Sequence, residues 1–133
     1  MSVLLALFLA ASVDGEAALR HASALAALGP HPWGSPRGQA AALYVAAQLR
    51  EAGLDEVELQ PFERQGARGT NVVATLRARG EEFVLVGAHH DTVPEAPGAY
   101  DDGSGVGLLI ELARALARDE VRPRTVVFAS FDG

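Results

Sequence analysis

The 133 residues contain no cysteine, which excludes disulfides, a thiol nucleophile and cysteine-held zinc. Any metal site must therefore be built from histidines and carboxylates. Lysine is also missing: all eleven basic residues are arginine, set against seventeen acids, for a formal net charge of −6. That balance argues against a basic surface for nucleic acid. With 25 alanines, the missing lysine marks compositional bias more than function. No apolar run approaches the ~20 residues needed to cross a bilayer as a helix. Neither repeats nor low-complexity tracts interrupt the chain, and no Gly-x-Ser-x-Gly elbow offers a serine nucleophile. What is present is a 49% hydrophobic content, enough for a packed core and too high for a disordered tail. The length suits one domain of ~150 residues, or part of a larger one.

Met1 to Val13 is nearly all apolar and stops at Asp14-Gly15. This segment fits the apolar core of a secretory signal, with Ala10 and Ser12 at possible cleavage positions, although no arginine or lysine precedes it. The alternatives are an N-terminal helix packed on the domain and the stub of a longer membrane segment. The expectation is an export signal or membrane anchor over residues 1–13, giving a secreted, periplasmic or membrane-anchored protein. Membrane contact, if any, would run through that segment.

From residue 14 onward the pattern alternates between helix and strand. Glu16–Leu28 reads as a helix stopped by Gly29 and Pro30. Ser35 and Pro36 open a second helix to about Ala52, with Ala41, Val45, Leu49 and Ala52 on one face. Val57, Leu59 and Phe62 alternate with polar residues as an edge strand containing Pro61. Gly66 and Gly69 mark a turn, and Thr70–Arg77 is a second strand. Phe83–Ala88 is a continuous apolar run, as in a strand covered on both faces. A helix over about Ser104–Arg118, burying Leu108, Leu109, Leu112 and Leu116, leads to a last apolar strand, Thr125–Phe131. Strand, helix, strand of this kind is a parallel crossover. The fold expected is α/β, a three-layer helix–sheet–helix sandwich with a mixed, mostly parallel sheet, incomplete at the C-terminus. Ligands of such sheets bind at the carboxyl ends of strands, where His89 and Asp132 lie.

His89 leaves a buried strand with Asp91 two residues on, and in extended chain those side chains point the same way. Asp91 can then accept a hydrogen bond from the His89 nitrogen that faces away from a metal. Asp101, twelve residues after His89 and at the mouth of the next helix, can return to the strand tip and bridge two cations. Taken singly, His-x-Asp is most often a structural hydrogen bond and Asp-Asp-Gly a helix cap. The joint pattern points to a metal site.

These motifs resemble the co-catalytic di-zinc peptidases of the bacterial aminopeptidase type. The matching stretches are Gly87-Ala88-His89-His90-Asp91-Thr92-Val93-Pro94, Gly98-Ala99-Tyr100-Asp101-Asp102-Gly103-Ser104-Gly105 and Arg124–Gly133, with a weaker match at Leu28–Pro36. The resemblance implies the zinc-exopeptidase fold, with residues 14–133 as the N-terminal part of its catalytic domain. It implies two zinc ions, with His89 a ligand of one and Asp101 bridging both. It makes Asp91 the catalytic-site carboxylate that orients His89, and it implies a cis peptide between Asp101 and Asp102. His90 falls at a variable position, so it is expected not to be a ligand, and its replacement by alanine to change metal retention or activity little. Tyr100 stands where the family often has Asn or Asp.

In that family the last strand runs into a Glu-Glu pair, which would begin after Gly133. The expectation is therefore a fragment with two of five protein ligands, without the general base, and inactive alone. The complete enzyme would be an aminopeptidase attacking peptide or aminoacyl substrates with a hydroxide shared by two zinc ions. The alternatives are an amidohydrolase or deacetylase-like exopeptidase, a glutaminyl cyclase-like transferase, and a metal-free binding module of the same fold.

Overall fold

The computed structural model describes residues 12–119 and 121–133. Residues 1–11, most of the expected export segment, fall outside that set. Helix α1 spans Gly15–Ala26 and α2 spans Pro36–Glu51. Strands β1, β2 and β3 are Glu56–Arg64, Ala67–Leu76 and Phe83–His89. Helix α3, Ser104–Ala117, precedes β4, Thr125–Phe131.

Local chemistry sets these boundaries. The Asp14 carboxylate accepts the Ala17 N–H at 3.0 Å and caps α1. Ser35 Oγ accepts the Gly38 N–H at 3.0 Å and caps α2, with Pro36 in the first turn. The β1–β2 hairpin turns at Gln65-Gly66, both with positive φ (52° and 76°), as a two-residue loop matching strand twist requires. The turn is therefore tighter than the one expected from Gly66 and Gly69. Gly69 lies inside β2, paired with Phe62.

The sheet order is β1-β2-β4-β3. β3 and β4 are parallel across the α3 crossover, while β1/β2 and β2/β4 are antiparallel. The sheet is mixed, as expected, and among the described residues one of its three pairings is parallel. Val72, Ala74, Leu76, Phe128 and Ala88 point from it into one core with Leu25 of α1, Val45 and Leu49 of α2, and Val106, Leu109 and Ile110 of α3. Each fully buried Leu, Ile, Val or Phe there contributes ~1.5–3 kcal/mol. The helices of the described residues thus share one face of the sheet. On the other face Phe83, Leu85 and Phe131 are 64%, 55% and 42% exposed. The continuous apolar run of β3 therefore sits at a sheet edge with one face uncovered, so two of the three expected layers are seen among the described residues.

Helix α3 corrects one detail of the expected pattern. Leu108 is exposed, and Glu111 is buried in its place. The reason is tertiary: α1 packs along α3 so closely that a Cβ on Gly107 would run into the Ala18 carbonyl. Glu111 turns into that contact and accepts a hydrogen bond from Arg114 Nε at 3.1 Å. Its Oε1 also lies 3.1 Å from His21 Nε2, and His21 Nδ1 lies 2.8 Å from the Tyr44 hydroxyl.

Candidate metal centre

The parallel β3/β4 pair carries two chain segments to one end of the sheet, and the kinked turn Ala99–Gly103 folds back over it. His89 ends β3, with its ring partly exposed. Its Nε2 lies 3.0 Å from Asp101 Oδ1. Its Nδ1 lies 3.1 Å from the Asp91 carbonyl oxygen and 3.3 Å from Asp91 Oδ1. The structure brings the three residues singled out from the sequence into one cluster. The nearer partner of Nδ1 is the Asp91 backbone rather than its carboxylate. Both contacts favour the tautomer with the proton on Nδ1, which leaves Nε2 facing Asp101.

Asp102 is turned away from this cluster. Its Oδ1 accepts the Gly105 N–H at 3.2 Å and its Oδ2 the His89 N–H at 3.3 Å. The Asp101–Asp102 peptide is cis, as the resemblance implied. The Asp101 side chain is 84% exposed, so its carboxylate is open on the solvent side.

Electrostatics favour positive charge at the His89 ring. Burial opposes that charge, but the Asp101 hydrogen bond, the Asp91 carboxylate and carbonyl, and the Asp102 charge outweigh it, so the ring's pKa stands above its ordinary value. A proton or a metal cation meets the same demand. An imidazole nitrogen beside a carboxylate oxygen is a donor set that suits zinc. Among the described residues no group of three or more His, Asp or Glu converges on one ion, so His89 and Asp101 are the candidate ligands this chain offers.

His90 faces the opposite way and is 2% exposed. Its Nδ1 lies 2.8 Å from Ser130 Oγ, and its backbone N–H donates to the Phe131 carbonyl at 2.9 Å. Its Nε2 sits 3.9 Å from Asp132 Oδ1, and neither atom has a hydrogen-bond partner among the described residues. Asp132 Oδ2 accepts the Thr70 N–H at 2.8 Å. Burial drives the His90 pKa down to about 4 and pushes the Asp132 carboxyl up. His90 is thus a buried side chain, and truncating it would open a cavity and strand Ser130 Oγ, an effect on stability. Ser130, a polar residue within the apolar run of β4 that follows Thr125, was the sequence signal for a polar partner.

A cavity of about 710 Å³ opens beside His89, Asp91 and Asp101, walled by Trp33 and by the loop from Thr92 to Tyr100. Trp33 and Val93 carry no obvious mark of function in the sequence, because only folding brings their distant segments to one wall.

The chain is similar to a family model and to several known proteins. Residues 71–133 match the family model described as Peptidase family M28. Leucine aminopeptidase 1 of Ajellomyces capsulatus is 30% identical over 110 residues, which cover 71% of this chain and 28% of that protein. The zinc aminopeptidase BSAP from Bacillus subtilis superposes with a TM-score of 0.86 at 14% identity, covering 93% of this chain and 62% of that one. Porphyromonas gingivalis glutaminyl cyclase gives a TM-score of 0.82 at 29% identity, covering 90% of this chain and 45% of that one. The chain therefore spans under a third of that curated relative's length and roughly half of these two solved structures. Fold and site define a chain of the zinc-exopeptidase fold. The match to peptidase family M28 takes in residues 71–133, just under half of the chain.

Proposed function

We propose that this chain supplies one half of the metal centre of a zinc aminopeptidase. The observation that carries the reading is the 3.0 Å approach of His89 Nε2 to Asp101 Oδ1, with Asp91 behind the ring. The 30% identity to a leucine aminopeptidase supports it. His89 and Asp101 would hold zinc, and the open carboxylate of Asp101 would leave an oxygen for a second ion. Bound zinc supplies Lewis-acid polarisation of the scissile carbonyl and activation of water. Asp91 fixes the His89 ring so that its Nε2 lone pair points outward. Asp102 anchors the turn to the His89 backbone and to α3, which holds Asp101 in place. The substrate class is a peptide or aminoacyl derivative. Met1–Val13 stay proposed as an export or anchoring segment on composition alone; no described helix is long and apolar enough to cross a membrane.

A second reading, a glutaminyl cyclase-like transferase, is favoured by the 29% identity to the bacterial cyclase. One experiment separates the two. The full-length polypeptide carrying this chain should hydrolyse leucine p-nitroanilide, lose that activity with 1,10-phenanthroline, and regain it with added zinc. Cyclisation of an N-terminal glutaminyl peptide without anilide hydrolysis selects the second reading. Activity indifferent to the chelator removes both.

A further inference from the structure

A second cavity, of about 490 Å³, opens between α1 and α3, and neither candidate zinc ligand lines it. Its wall carries Arg20, Arg114 and Arg118 against the carboxylates of Asp14 and Glu111, with His21 beside them. Three of the eleven arginines thus meet at one cavity of a chain whose net charge is −6. Both acids are already engaged. Asp14 Oδ1 accepts the Ala17 N–H at the α1 cap, and its Oδ2 comes no nearer to Arg20 than 4.0 Å. Glu111 is buried, and its Oε1 lies 3.1 Å from both His21 Nε2 and Arg114 Nε. Arg114 Nη1 donates to the Glu51 carbonyl at 3.2 Å. Two of the three Arg114 guanidinium nitrogens are therefore fixed, which orients the group and leaves Nη2 for a ligand.

Arg118 follows Arg114 by about one turn, on the same side of α3, and like charges at that spacing repel. The carboxyl end of α3 favours basic residues through its dipole, which accounts for Arg114 and Arg118. It does not account for Arg20, which sits mid-way along α1 and adds a third positive charge to the same cavity. An anion turns this repulsion into attraction. We propose that the cavity binds a phosphate group, held by Arg114 and Arg118 with Arg20 contributing from α1. The planar guanidinium fork matches phosphate oxygens through paired, charge-assisted hydrogen bonds. The acidic balance of the whole chain repels a polyanion, so the ligand is a single phosphate group rather than a nucleic acid backbone. Free phosphate and an anionic lipid headgroup both carry that chemistry, and Ser12, at the end of the apolar N-terminal segment, lines the same cavity. The inference stands apart from the peptidase reading, because the cavity shares no residue with His89, Asp91 and Asp101.

The full-length polypeptide carrying this chain is titrated with inorganic phosphate and with acetate at constant ionic strength, following amide resonances. Residue-resolved shifts separate this cavity from any phosphate taken up at the metal centre. Phosphate should produce saturable shifts over residues 14–21 and 111–118, and acetate should bind there at least ~10-fold more weakly. Arg118→Gln should weaken phosphate binding at those residues by ~10-fold or more, and Arg118→Lys by less, because a point charge keeps the attraction and loses the fork. Arg20→Gln gives a second variant on the other helix and should weaken it several-fold, with circular dichroism confirming the fold of all three. Vesicles then identify the carrier. Binding to phosphatidylglycerol vesicles over phosphatidylcholine vesicles that drops with Arg118→Gln supports the site with a lipid headgroup as its ligand. Phosphate shifts without that vesicle difference support it with free phosphate. Shifts that do not saturate would overturn the site, as would shifts confined to residues 89–101. Shifts centred instead on the other arginine-lined cavity, at Arg77, Arg79 and Arg122, would show unselective attraction to arginine and overturn it too. So would Arg118→Gln and Arg20→Gln that both bind phosphate as the wild type does.

Discussion

Two buried histidine clusters lie in different layers of this protein. In the helical layer, His21 joins Tyr44 and Glu111, and Arg114 completes the set. Each ring nitrogen of His21 has a partner at hydrogen-bond distance. At the carboxyl end of the sheet, His90 and Asp132 face each other at 3.9 Å with one unpaired atom each. A buried polar atom without a partner costs ~1–3 kcal/mol, so the first arrangement fastens three helices and the second works against stability. The difference tracks position. The fully paired cluster sits away from the candidate metal centre, while the one incompletely paired among the described residues includes His90, the residue after His89. Functional ends of sheets commonly keep polar groups that a purely structural site would replace with carbon.

The largest expected effect tests the fastening role. Glu111→Ala leaves His21 Nε2 and Arg114 Nε without their acceptor and should lower stability by about 3 kcal/mol in urea unfolding. His21→Leu with Glu111→Leu removes both partners and should recover most of that loss. A single replacement costing under about 0.5 kcal/mol would show that the network fastens nothing.

The strand-end cluster should reveal itself through pH. Unfolded His90 takes up a proton near pH 6.5, whereas folded His90 does so only near 4. The unfolded state therefore binds more protons between those values, and stability falls as pH drops from about 6.5 to about 4, on the order of 3 kcal/mol in all. Asp132, pushed up by burial, runs the other way, so the quantity to read is wild type minus His90→Gln. A difference that is flat with pH would place His90 in contact with solvent.

A smaller effect separates the neighbours His89 and His90. In the zinc-loaded full-length protein, Asp91→Ala should weaken metal affinity by ~10–100-fold, measured by competition with a chromophoric chelator. His90→Gln should act on stability, leaving metal affinity within about threefold. Equal losses of affinity would mean that both histidines approach the ion.

The smallest change serves as a baseline touching neither cluster. Ser35→Ala removes the α2 cap and should cost about 1 kcal/mol in urea unfolding, with no pH signature between 4 and 7.

The sequence by itself determined the order and kind of the elements. Period-2 and helical spacing depend on neighbours in the chain, and so do the stop at Gly29 and the cap at Ser35. It also determined the His89, Asp91 and Asp101 set, because a strand tip and the next helix start are joined by a short loop that limits where Asp101 can go. Tertiary structure decided the rest. It put β3 at an edge with one parallel neighbour, which apolar composition cannot distinguish from a central position. It buried Glu111 and exposed Leu108, since only the path of α1 across α3 selects which face of that helix is inside. It turned His90 into the core beside Ser130 and Asp132, and it put Trp33 and Tyr100 on the lining of one cavity. Those residues lie 40 to 67 positions apart, and nothing in local chain geometry encodes such a meeting.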